Sequence, residues 1–82
     1  MKVDCRPYFK TLKTARNNLI DKCNRQGALN AATSLSCYTH IPLIVIVIFL
    51  MQDNNLGPIE ELNVSLKNLI NFYGYDQIIP FD

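Results

Sequence analysis

Eighty-two residues carry eight Lys and Arg against seven Asp and Glu, with 49% hydrophobic and 18% charged residues. A chain of this length makes one small domain at most, and its composition excludes both a disordered tract and a polytopic membrane protein. The net charge of +1 conceals a split, because residues 1–26 sum to +5 and residues 53–82 to −4, an asymmetry that raises the question of membranes or nucleic acid.

Residues 1–6 are expected to be loose. Pro7 suits a first helical turn, and residue 6 before it avoids helix. Residues 7–26 then read as a basic amphipathic helix. Tyr8, Leu12, Ala15, Leu19 and Cys23 fall on one side of a 100° spiral, with Phe9 and Ile20 at its edge. Lys2, Arg6, Lys10, Lys13 and Arg16 gather beside that stripe if the helical phase extends back to residue 2. Gly27 stands where a helix C-cap calls for glycine. The simpler reading of this helix is a solvated face over the chain's own core. The sharper one is contact with an anionic lipid surface through Lys10, Lys13 and Arg16. Nucleic acid is disfavoured, since phosphate-binding surfaces are more basic than this one.

Residues 28–40 are small and mildly polar. The eleven residues 41–51 have no polar side chain, and no Asp, Glu, Lys or Arg lies between Arg25 and Asp53. Residues 31–51 form the apolar centre, and three readings of it compete. It can be a single transmembrane helix, long enough for a hydrocarbon core of ~30 Å, with the basic flank placing the N-terminus in the cytoplasm. His40 and Pro42 count against insertion. It can instead be a buried helix covered by amphipathic helices on both sides. The third reading is a small α/β arrangement with a buried strand at 43–51, which suits the β-branched run. Residues 77–81 offer the one other candidate strand.

Residues 52–58 read as a loop. Residues 58–74 read as an acidic amphipathic helix. Pro58 stands at a first-turn position, Glu60 and Glu61 complement the helix dipole, and Gly74 closes the helix. Ile59, Leu62, Leu66, Leu69, Ile70 and Tyr73 share an arc of about 100°. Residues 75–82 form a tail that either docks as an extended segment or frays.

The sequence contains little that resembles a reaction centre. Cys5, Cys23, Cys37 and His40 could be assembled on paper into a metal set, but zinc ligands come in close pairs and only Cys37 and His40 do so here. Three cysteines without a CxxC pair suit a reducing compartment and small buried side chains. Asn63-Val64-Ser65 matches a glycosylation acceptor, on the non-cytoplasmic side if the centre spans a membrane. The apolar run begins too late for a cleavable signal peptide.

The sequence thus predicts a mainly α chain with no catalytic, cofactor or metal residues. Its leading functional reading is a small non-enzymatic, membrane-associated protein that works through contacts with another protein. The alternative is a soluble, cytoplasmic helical regulator or adaptor that binds a protein partner, with a homo-oligomer as one form.

Overall fold

An all-apolar run of eleven residues must be covered, and in the computed structural model the chain covers it with its own helices. The structure describes residues 2–52 and 60–81. The described chain is mainly helical, with α1 at Phe9–Gln26, α2 at Ala28–Thr39, α3 at Leu43–Gln52 and α4 at Glu60–Tyr73. A short 3-10 turn, Arg6–Tyr8, leads into α1, and a second one, Tyr75–Gln77, follows α4.

Residues 7–26 are helical as expected, and Leu12 and Leu19 on the apolar stripe are buried. The phase does not reach residue 2, however. Val3–Asp4 is a short strand, β1, paired in parallel with β2 at Ile78–Ile79. Of the residues expected to be loose, Val3 and Asp4 therefore form a strand, and Ile78 and Ile79 of the tail dock against it as an extended segment. Val3 lies opposite Ile78 and Asp4 opposite Ile79, and the Cys5 N–H donates to the Ile79 carbonyl at 2.8 Å. Arg6 is withdrawn from the basic stripe. Its Nε and Nη2 donate to the two Asp4 carboxylate oxygens at 3.0 and 2.9 Å. That pairing holds the Asp4 carboxyl below its ordinary pKa.

Gly27 separates α1 from α2 with φ 90° and ψ 150°, a backbone region that only glycine enters without strain. It caps both helices. Its N–H donates to the Cys23 carbonyl, and its own carbonyl accepts from Ala31. The small residues Ala28, Ala31 and Ala32 are then buried on α2, which packs against α1, α3 and α4.

The apolar run is a buried helix, as one of its three readings expects, but the apolar centre as a whole is not continuous. It is neither one helix over 31–51 nor a strand at 43–51. It is helical from Ala28, breaks at residues 40–42, and resumes at Leu43. Among the described residues no helix is long and apolar enough to cross a membrane. Pro42 supplies the physical reason, because it has no N–H to continue α2 and it turns residue 41 away from helix. His40 takes the left-handed conformation at φ 61°, donating its N–H to the Ser36 carbonyl. The Ser36 hydroxyl donates to the Ile41 carbonyl at 2.7 Å, and the Thr39 hydroxyl to the Leu35 carbonyl at 2.7 Å. Pro42 opens α3 by accepting from Val45.

α3 is the centre of the core. Ile44, Val45, Ile46, Val47, Phe49 and Leu50 are all buried, and each burial stabilises by about 1.5–3 kcal/mol. α3 packs against α2 and α4. α1 lies mainly on α2 and reaches α3 through Phe9, whose ring centroid is 6.4 Å from that of Phe49. α4 contributes Leu69, Ile70 and Tyr73 from the expected arc, and Gly74 ends it at φ 87°. Of the loop expected at 52–58, Gln52 is instead the last residue of α3, and the rest, with Pro58, lies outside the described residues. No polar or charged side chain is buried among the described residues.

Candidate functional site

The expected basic face of α1 survives in part. Lys10 and Lys13 are exposed, and Arg16 is half-buried at the margin of the core. The Lys13 ammonium lies 5.3 Å from the centre of the Phe9 ring, within reach of a cation–π attraction. Phe9 keeps 42% of its surface exposed and meets Phe81 of the tail at 5.5 Å. Phe49 closes the triangle at 5.9 Å from Phe81. Leu12 and Leu19 of the α1 stripe are buried in the core, and Phe9 is a large apolar group left exposed beside these lysines. On the other side of Lys10, a shallow open groove is lined by Thr11, Thr14, Ala15 and Asn18.

The cysteine–histidine set is scattered. Cys5 is buried at the end of β1, Cys23 is half-buried on α1, and Cys37 is exposed on α2. His40 is exposed at the corner after α2. No group of three or more His, Cys, Asp or Glu residues forms a metal-holding cluster among the described residues. Burial pushes the Cys5 thiol up from its ordinary pKa, with the Asp4 carboxylate adding to the shift. A thiol so placed is protonated at neutral pH, unlike an activated nucleophile.

The surface also carries two aromatic side chains that the sequence did not single out. Tyr38 on α2 is 88% exposed and Phe72 on α4 is 82% exposed. Val64, two turns before Phe72 on the same face of α4, is 59% exposed. Phe72 falls outside the apolar arc of α4, so an aromatic on the polar side was a readable signal. Tyr38 had none, because its exposure follows from how α2 turns Ala31 and Ala32 inward. Asn30, Thr33, Ser34 and Cys37 share the outer side of α2, which therefore carries no charge.

The chain matches no protein-family model, and comparisons with curated proteins and with solved structures find no match either.

Proposed function

We propose that the protein is a non-enzymatic helical module that works by docking another protein. The observation that carries this reading is the near-complete exposure of Tyr38 and Phe72, at 88% and 82%, on a chain that otherwise closes its core over α3. Singly exposed apolar residues are ordinary. Two aromatic rings exposed this far are more telling, although Phe72 touches the Tyr73 ring edge-on at 5.3 Å, because aromatic side chains anchor interfaces and each can bury roughly 150–250 Å2 there. The uncharged outer side of α2 supports the same reading, since interface centres are depleted in charge.

Photo-crosslinking in cells tests it. A photoreactive residue at position 38 or 72 is expected to trap the same discrete partner, while one at the exposed Asn17 traps none. Excess wild-type chain should compete for that partner, and a Tyr38→Ser/Phe72→Ser chain should not. Equal trapping at all three positions, or none at 38 and 72, would overturn the reading. If the trapped partner proves to be a second copy of the chain, the docking is self-association.

A further inference from the structure

We infer that residues 28–52 are a conditional membrane span, folded back on themselves as α2 and α3 in the closed molecule and able to straighten into one bilayer-crossing helix during insertion. The inference is independent of the partner-docking reading above.

Four observations converge on it. First, no charged residue lies between Arg25 and Asp53. A continuous helix over 28–52 would be about 37 Å long at 1.5 Å per residue, against a hydrocarbon core of about 30 Å. Second, all but three of these residues are already helical, and the interruption is the short corner His40, Ile41 and Pro42. Third, the corner is held from within. The hydroxyls of Ser36 and Thr39 and the N–H of His40 all bond to groups between residues 35 and 41. The His40 N–H to Ser36 carbonyl bond and the Thr39 hydroxyl to Leu35 carbonyl bond already have helical i to i−4 spacing and survive straightening, so only the Ser36–Ile41 bond is given up. In the straight helix only the Tyr38 carbonyl, opposite the proline ring, lacks a helical donor. Proline in a membrane helix is tolerated in this way, with nearby Ser and Thr hydroxyls meeting the freed groups. Fourth, α3 is apolar on every side. In water it needs the cover of α2, α4 and Phe9, whereas in lipid it needs none.

The flanks orient the span. Lys22 and Arg25 precede it, and Asp53, Glu60 and Glu61 follow it, so the basic end stays on the cytoplasmic side. α1 would then lie along an anionic leaflet, with Lys10 and Lys13 toward the headgroups. His40, at the midpoint of the segment, opposes insertion and favours the corner only weakly, because a non-glycine residue in the left-handed region is strained. One residue therefore weighs on both sides of the choice and can be used to shift it.

The test is cell-free translation of the full chain in the presence of microsomes, with a glycosylation acceptor appended after Asp82 and Asn63→Gln included to remove the internal one. The expected result is a fraction of chains that resists alkaline carbonate extraction and carries the appended glycan. His40→Gly relieves the strain of the corner and should lower that fraction several-fold. His40→Leu with Pro42→Ala favours a continuous helix and should raise it several-fold. Purified in water, the same variants should melt in the opposite order. Complete release by carbonate from all three chains, resistant chains without the appended glycan, or equal insertion of the three would each overturn the inference.

Discussion

Cys5 shows how a two-residue strand governs a side chain's chemistry. Its N–H is taken by the Ile79 carbonyl and its thiol is fully buried. Burial is the main cause that lifts its pKa above the ordinary 9.0, and the neighbouring Asp4 carboxylate adds to it. A thiol raised in the folded state favours folding fully below the unfolded pKa, and that contribution is lost as pH rises through the folded value. Urea titrations of wild-type and Cys5→Ala chains should therefore show a gap in stability at pH 7 that narrows steadily above pH 9. A gap that stays constant into alkaline pH would mean that the thiol is not buried as described. The Asp4–Arg6 pair beside it acts in the opposite direction. Its lowered carboxyl favours folding above the unfolded carboxyl pKa and loses that effect as pH falls through the folded one. Both groups are solvent-exposed, so salt screens the pair and its share is small.

Each helix is held chiefly by the apolar face it gives to the core, and α3 is the extreme case because every face is given. Ile46 is fully buried while Val64 on α4 is 59% exposed. Ile46→Ala should lower the unfolding free energy by about 2–5 kcal/mol, and Val64→Ala should change it by no more than about 0.5 kcal/mol. Chemical denaturation of the two variants checks the contrast, and equal effects would contradict the placement of α3. The elements differ in how far the sequence discloses them. α1 and α4 were legible because Leu12 and Leu19, and Leu69, Ile70 and Tyr73, repeat at helical spacing over several turns. The break at residues 40–42 was visible as Pro42, but its consequence was not. An apolar run without periodicity fits a span, a buried helix and a strand alike, and only packing partners decide among them. β1 was not legible at all. Two residues carry no period, and Val3 becomes a strand only because Ile78, far away in sequence, lies beside it. The exposed Tyr38 was hidden for a related reason, since which side of α2 faces out depends on α1 and α3.

Taken whole, the molecule has a Cα radius of gyration of 11.7 Å, close to the roughly 12 Å expected of a compact chain of this length. Its two ends meet. β1 and β2 pair, and Phe81 packs against Phe9 and Phe49, so the tail joins the start of α1 to the end of α3. A domain of this size has a total stability of about 4–12 kcal/mol, so a few half-buried side chains are a substantial share of it. Removing residues 78–82 deletes Ile78, Ile79 and Phe81, each worth about 1 kcal/mol or more when partly buried, and leaves the Cys5 N–H without its acceptor. The truncated chain should unfold at roughly half the wild-type urea midpoint and with a smaller m value, because less surface is hidden to begin with. Its Cys5 should also become open to alkylation under native conditions, while in the full chain only Cys37 reacts readily. An unchanged midpoint with Cys5 still protected would show that the helices close without the tail. The predicted loss instead follows from geometry: the strand pair and the three phenylalanines join segments that the helices alone leave free to separate.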